Sequence, residues 1–356
     1  MTTPGMINAR EFGARGDGAA DDTAAIQKAI DAAAKSQETV YLPAGVYMCS
    51  TLKLRPQTGL FGHPMFSYRA NGGAVLKLSD PKAACLLDMT EAVGATVEGI
   101  CLDGNRRMGQ AVAGILIDKA DYGKQEDAWR VERCRISGFS GNGMTLGRIW
   151  CFSIRHCMIS HNKGNGIRVR GWDGFILDNW LSGNGQPGYG AYDENASITM
   201  TGNRIEWNAG AGVEIHGGSH YNITGNYVDR SGGPAVKLLP RGAAPCRVIS
   251  ITGNVMYRSG APNWGKPEEL DDAHLRFEQV EGLVCTGNTM NVGRDDGGKG
   301  VLSPQYGIVC HKLGDSVIKD NVLWHGALKT LVEDRAEHGK EVVIRDNVGS
   351  LAPQTP

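Results

Sequence analysis

The sequence predicts an all-β chain: a right-handed single-stranded parallel β-helix, a solenoid, with an N-terminal capping helix. Three observations lead to that class. Asn179, Asn203 and Asn226 hold the same place in successive copies of one short phrase, 24 and 23 residues apart, and self-similarity at such a period marks a stacked repeat. The register extends outward as Cys134, Cys157, Asn179, Asn203, Asn226, Asn254, Asn288, Asn321 and Asn347, at spacings of 23, 22, 24, 23, 28, 34, 33 and 26. Each copy is rich in Gly, Asn, Val, Ile and Thr, in short alternating runs that read as strands joined by tight turns. A coil of about 23 residues suits three short strands and three turns, with inward residues buried on the neighbouring coils. The asparagines are expected to stack as a ladder of side-chain amides, and the two cysteines to fill the same inward turn site. A sandwich or barrel would not impose this period.

The elements follow in order. Residues 1–55 form an N-terminal cap continuous with the solenoid, 56–348 the coils, and 349–356 a tail that is unstructured or lies along the last coil. Asp21 or Asp22 can cap a helix whose apolar face is Ala25, Ile26, Ala29, Ile30 and Ala33. An open solenoid end exposes strand edges and a core cross-section, so a helix there has a covering role. VYLPAGVY reads as strand, turn and strand. GLFGHPMFSYRANGG reads as a surface loop with Phe61, Phe66 and Tyr68. DKADYGKQEDAW is a polar insertion after the strand GILID.

Composition excludes several classes. The formal net charge is −1, so no overall field draws nucleic acid. No run of 18 apolar residues is present, so no membrane span is expected. The N-terminal MTTPGMINAREFGARGDG carries no apolar signal core, which points to the cytoplasm, or to secretion if a leader has been removed. The nine cysteines have no paired spacing and read as buried free thiols, and no Cys/His cluster has zinc spacing. No metal or cofactor is expected. Asp271, Asp272, Asp295 and Asp296 leave calcium as the alternative, because carboxylate oxygens suit hard cations.

The phrase FGARGDGAADDTAAIQKAIDAAA followed by VYLPAGVY resembles the N-terminal signature of the pectate-lyase superfamily, the pectin-lyase-like right-handed β-helix proteins. The resemblance covers roughly the first 50 residues, and the downstream repeats agree with it. It implies the fold and work on carbohydrate, through a membership that includes polysaccharide lyases, polygalacturonases, epimerases, inulin fructotransferases and phage tailspikes. Asp17, Asp21 and Asp22 are read as shaping the cap. NTD, GHG and RIK phrases are absent, which argues against a polygalacturonase; DPHD is absent, which argues against a mannuronan epimerase. Such solenoids also bring a side-by-side homotrimer as a partner state to test.

Strands after each asparagine align as GIRVR (166–170), GAYDE (190–194), GVEIH (212–216), AVKLL (235–239), HLRFE (274–278) and GIVCH (307–311). With aliphatics inward, alternation sends out Arg168, Tyr192, Glu214, Lys237 and Arg276 in one column, and Arg170, Glu194, His216, Glu278 and His311 in the next. Asp193 then falls in the inward column, where a bare carboxylate is costly; either the strand slips or Asp193 has a partner. The long spans before His274 and Gly307 would wall this face, and Trp264 in the first could stack on a sugar. A charged solenoid face also arises from cross-strand pairing alone.

Glu194 and Glu214, on neighbouring coils, would lie ~5–7 Å apart from the coil spacing and strand offset, a separation suited to glycosidic cleavage by two carboxylates. Asp193 and His216 complete the catalytic set. Arg168, Arg170, Tyr192, Lys237, Trp264, Arg276, Glu278 and His311 are assigned to substrate. Glu206, on another strand, reads as a surface residue. Elimination on a uronic acid polymer, with Lys237, Arg276, His216 and Tyr192 as the working groups, is the second reading. A glycan-binding tailspike-like module without catalysis is the third. The partner in every case is an oligo- or polysaccharide.

Overall fold

The computed structural model describes residues 5–67, 70–261 and 268–353. The chain divides into two compact units, Met1–Phe175 and Ile176–Pro356. Both are built almost wholly from strands, and the described residues hold one α-helix, Thr23–Ser36.

In the first unit, three strand columns repeat. Met6–Asn8, Thr39–Leu42, Gly59–Gly62, Thr96–Glu98 and Trp129–Glu132 pair in succession, all parallel. Leu52–Lys53, Cys85–Asp88, Ala113–Asp118 and the start of Met144–Arg155 form the second column. Gly45–Cys49, Asn71–Leu78, Cys101–Asp103, Arg135–Ser137 and Met158–Ser160 form the third. Each strand thus meets its equivalent one coil away, the arrangement the sequence period demands. Pro64–Phe66 departs from it by pairing antiparallel with Asn71–Leu78. The stretch around Phe61 is therefore a strand and a hairpin rather than a loop, and Phe61 packs on Tyr41 and His63. Tyr68 and the side chain of Phe66 lie outside the described residues.

The helix buries Ile26, Ala29, Ile30 and Ala33, with Ala25 only half-buried. Asp21 is the carboxylate at its start, accepting the Thr23 N–H at 2.9 Å. Asp22 instead turns back to the Arg15 and Gly16 amides. That division follows from reach: a carboxylate serves either its own helix or the preceding turn, and two adjacent aspartates cover both.

The second unit repeats the same plan. Tyr189–Ala191, Val213–His216, Val236–Leu239, Ala273–Thr286 and Tyr306–Gly314 pair in sequence. Trp180–Ser182, Arg204–Glu206, Tyr227–Asp229 and Val255–Tyr257 line a second face. At the turn between faces stands the amide ladder. Asn254 Oδ1 accepts the Asn226 N–H and Nδ2 at 2.9 and 3.0 Å, while Asn254 Nδ2 donates to Asn288 Oδ1 at 2.9 Å and to the Ile223 carbonyl. Asn203, Asn226, Asn254, Asn288 and Asn321 are all at most 2% exposed, so their amides replace water for backbone groups that the turn leaves unpaired. Asn184 and Asn208 form a further such pair, 2.9 Å apart, that the spacing analysis did not isolate.

In the first unit the cysteines do the same work with a weaker donor. Cys134 Sγ donates to the Val97 carbonyl and Cys157 Sγ to the Val131 carbonyl, one coil back. All nine cysteines are free thiols; eight are buried, and Cys151 is only half-buried, a departure from the uniform burial expected. Gly212 shows why glycine opens a strand here: a Cβ would lie 2.6 Å from the Ala235 carbonyl oxygen of the next coil.

Candidate functional site

The second unit presents one outward strand column in which the paired residues are Gly190, Glu214, Lys237, Arg276 and Val309. The inward neighbours Val213, Ile215, Val236, Leu238, Leu275 and Phe277 are fully buried, which fixes the outward side of the others. The strand Tyr189–Ala191 is set two residues away from the alignment of GAYDE with GVEIH: Tyr189 pairs with Val213 and Ala191 with Ile215. The cause is Tyr189, fully buried, whose hydroxyl meets the Tyr221 hydroxyl at 2.9 Å. Asp193 is accordingly not an inward strand residue; with Glu194 it lies in the bend after the strand, half-buried. Gly190 and not Tyr192 therefore stands beside Glu214, Glu194 is not a strand neighbour of His216, and the strand offset behind the expected carboxylate separation does not hold.

The slip brings Tyr192 to His216, ring edge to ring face at 5.1 Å. His216 Nε2 lies 2.9 Å from Glu214 Oε1. The Glu214 and His216 side chains keep 17% and 26% of their surface, enough for one side of each to face a ligand. A carboxylate that orients an imidazole is a recurrent acid–base arrangement.

The described end of the first long connection, residues 268–272, binds this face. Asp271, buried, takes Lys237 Nζ at 2.7 Å on one oxygen and an Arg276 guanidinium nitrogen at 2.6 Å on the other. Glu268 adds a second contact to Arg276 at 2.5 Å. Leu270 packs on Ala273, Tyr306 and Val309. Lys237 and Arg276 therefore hold the wall, and each is only 9% exposed. Trp264 lies outside the described residues. Further along, His311 Nδ1 meets Glu278 Oε1 at 2.7 Å. In the first unit, Arg168 is exposed and Arg170 half-buried on the strand Ile167–Leu177, alternating with the buried Ile167 and Val169.

The aspartates weighed as calcium ligands are engaged elsewhere. Asp295 pairs with Arg258 and Asp296 with Arg230, each at 2.8 Å, and Asp272 accepts the Gln305 amide at 3.0 Å. Among the described residues one group combines metal-ligand types, Cys310, Asp334 and His338. There His338 Nδ1 accepts the Leu313 N–H at 3.0 Å and Nε2 faces Asp334 at 2.8 Å. The accepting Nδ1 places the neutral ring's proton on Nε2, the atom a metal would need.

Sequence reasoning missed a second polar network in this unit. Glu206 is 4% and Asp229 1% exposed, so Glu206 is not the surface residue expected. The two are cross-strand partners. Glu206 is fixed by Arg204 at 2.7 Å and by the Trp180 indole N–H at 2.8 Å. Arg230, against Asp229, lies between the Trp207 and Tyr257 rings. Burial pushes the Asp229 carboxyl up to about 6, partly opposed by the Arg230 charge. The signal was present in the phrases NRIEW and NYVDR, where the charged residue sits one place beyond the inward aliphatic.

Comparison with known proteins agrees with this architecture. The family model described as rhamnogalacturonase A/epimerase, pectate lyase-like, matches residues 6–233. Mannuronan C5-epimerase AlgE3 of Azotobacter vinelandii is 30% identical over 242 residues, covering 60% of this chain and 12% of the relative. A capsule K30/K69-specific depolymerase of Klebsiella phage K64-1 is 24% identical over 312 residues, 83% of this chain and 39% of the relative. The chain thus spans well under two thirds of the length of these curated relatives. Among solved structures, the A-module of AlgE6 from A. vinelandii superposes with a TM-score of 0.65 at 19% identity, covering 98% of this chain and all of that one. The fold is therefore shared with an epimerase module, and the sequence match over most of the chain settles the kinship: the protein belongs to the pectate lyase-like family of rhamnogalacturonase A and epimerases.

Proposed function

We propose that the protein is an enzyme of oligo- or polysaccharides that cleaves glycosidic bonds with Glu194 and Glu214 as its carboxylates. The observation that carries this reading is the Glu214–His216 contact of 2.9 Å, at the partly exposed stretch of the outward column beside Tyr192. In this reading one carboxylic acid protonates the leaving oxygen and the other carboxylate attacks the anomeric carbon or activates a nucleophilic hydroxyl. His216 orients Glu214 and exchanges its proton. When the attacking hydroxyl belongs to the substrate, the same pair performs transfer instead of hydrolysis. The names of the relatives, an epimerase of mannuronan and a depolymerase of capsule, support a polysaccharide as the substrate.

A second reading is proton abstraction by His216 followed by elimination on a uronate. The same contact favours it, because Glu214 on Nε2 leaves Nδ1 as the imidazole's other working atom. The missing DPHD phrase speaks against C5-epimerisation proper. A tailspike-like module that binds glycan without cutting it is the third possibility to be tested.

The architecture is proposed in full as a right-handed single-stranded parallel β-helix, with the helix Thr23–Ser36 covering its N-terminal end within residues 1–55. Incubation with neutral and acidic glycans, with products weighed by mass spectrometry, tests the function. Addition of water marks hydrolysis; an unsaturated product without added water marks elimination; cyclised or lengthened products mark transfer. The reading fails if Glu214→Gln and Glu194→Gln leave every product unchanged.

A further inference from the structure

The last strands of the second unit each have a free edge. Thr330–Asp334 pairs with Tyr306–Gly314, Val342–Arg345 with Ser316–Lys319, and Val348–Leu351 with Val322–Ala327; among the described residues none of the three has a ladder on its other side. The inward residues are correspondingly less covered. Ile308 and Ile318 are fully buried, whereas their cross-strand partners Val332 and Ile344 are only half-buried. Unpaired strand edges beside an open apolar section are a template for further chain. The middle strand points to which chain. Lys319 is the cross-strand partner of Arg345, and Asp315 and Glu341 stand just before the first pair of that ladder, Ser316 and Val342. Like charges directly opposite are destabilising, so the charges of this strand do not suit the coil before it. The ion pair of Arg345 is with its exposed neighbour Asp346, at 3.4 Å. Placed antiparallel to its own copy, the segment 340–346, KEVVIRD, is complementary throughout. Lys340 meets Asp346, Glu341 meets Arg345, Val342 meets Ile344, and Val343 meets itself.

We propose that this edge is a self-association surface, on which a second copy of the chain docks about a two-fold axis at Val343. The backbone suits that register. The Ser316 N–H donates to the Glu341 carbonyl at 3.1 Å, so alternation along the strand turns the N–H and C=O groups of Val342 and Ile344 to the free edge. In the self-paired register Val342 faces Ile344 of the second copy, and these residues exchange backbone hydrogen bonds. Val343 then forms the close, non-hydrogen-bonded pair at the centre. The seam covers the half-buried Val342 and Ile344, and it gives Glu341 and Arg345 the opposite charges that the preceding coil denies them. A two-fold contact uses the same patch on both copies and closes on itself, so association stops at a dimer. The inference does not depend on which reaction the protein performs.

The test is sedimentation of the full chain over a range of concentrations, with Glu341→Arg, Arg345→Glu and the double exchange run beside it. The expected result is a reversible dimer. Each single exchange sets like charges opposite one another on both sides of the axis, and is expected to raise the dimer Kd at least about tenfold. The double exchange restores opposite pairs, as does an equal mixture of the two single variants, and both are expected to recover the dimer. Folding of the single chain is spared, because each exchange removes a like-charge neighbour, Asp315 or Lys319; melting temperatures check this. A monomer at every concentration, growth beyond a dimer, association unmoved by the single exchanges, or no recovery in the mixture would each overturn the proposal.

Discussion

Glu214 and His216 stand two residues apart on one outward strand edge, and Glu214 Oε1 lies 2.9 Å from His216 Nε2. The contact holds the carboxylate and the imidazole in one fixed arrangement. Glu214→Gln is expected to lower kcat by about 10²–10⁴-fold, the usual size of a lost acid or base, with little change in KM. His216→Gln is expected to act in the same direction. Tyr192→Phe keeps the ring on His216 and is expected to have a small effect, whereas Tyr192→Ala has a larger one. Steady-state kinetics on the substrate found by product analysis checks all four.

The wall over this face depends on Asp271. Its two oxygens take Lys237 and Arg276, both cations nearly buried, so its removal leaves Lys237 uncompensated and Arg276 with Glu268 alone. Asp271→Ala is expected to destabilise the protein by about 3–5 kcal/mol, as for other broken buried pairs. Urea unfolding followed by circular dichroism measures it. A midpoint equal to that of the wild type would show that the loop is not held by these contacts.

The ladder makes a graded expectation. Asn254→Ala removes an acceptor of two bonds and a donor of three more, leaving buried backbone groups unpaired at ~1–3 kcal/mol each. A loss of about 3 kcal/mol or more is expected from denaturant midpoints. Asn254→Cys is expected to lose less, because Cys134 and Cys157 already serve equivalent turns by donating to a carbonyl one coil back.

Three groups, the buried Asp229 and His274 and the half-buried Asp272, contribute in opposing directions to the acid behaviour. Asp229 and Asp272 are each raised by burial from 3.8 to about 6. Between those values the folded state holds protons that the unfolded chain releases, so their contribution to stability rises as pH falls, by ~1.4 kcal/mol per unit for each group. His274, fully buried, is pushed by desolvation from 6.5 down to about 3. Below 6.5 the unfolded chain takes up a proton that folded His274 refuses, so its contribution falls on acidification. From pH 6 to 4 the two carboxylates outweigh the histidine; below 4, of these three groups, only the histidine still titrates differently in the two states. Melting curves against pH should therefore shift oppositely for Asp229→Asn, which loses the acid gain, and His274→Leu, which loses the acid penalty.

The ladder and the coil were legible because Asn179, Asn203 and Asn226 repeat at one spacing and because turns restrict what fits them. The partners of the face were less legible. The register at Tyr189 is set by a hydroxyl contact to Tyr221, 32 residues away, and aligning glycines gave no sign of it. Glu206 and Asp229 sit in outward positions yet are buried, because Arg204, Arg230 and their ring neighbours cover them. Lys237 and Arg276 read correctly as outward cations, but their engagement by Asp271 depends on where a long connection lands. Alternation along a strand reports which side a residue faces; what then lies over that side is decided by chain many positions away.

The strict pairing of Glu214 with Lys237 and of Lys237 with Arg276 makes the stack a ruler. Each whole turn inserted or deleted moves the following side chains by one strand spacing, about 4.8 Å, without rotating them off the face. Under the proposed function, reach along a substrate would be lengthened or shortened in fixed steps, while the local chemistry of every remaining turn stays as it was.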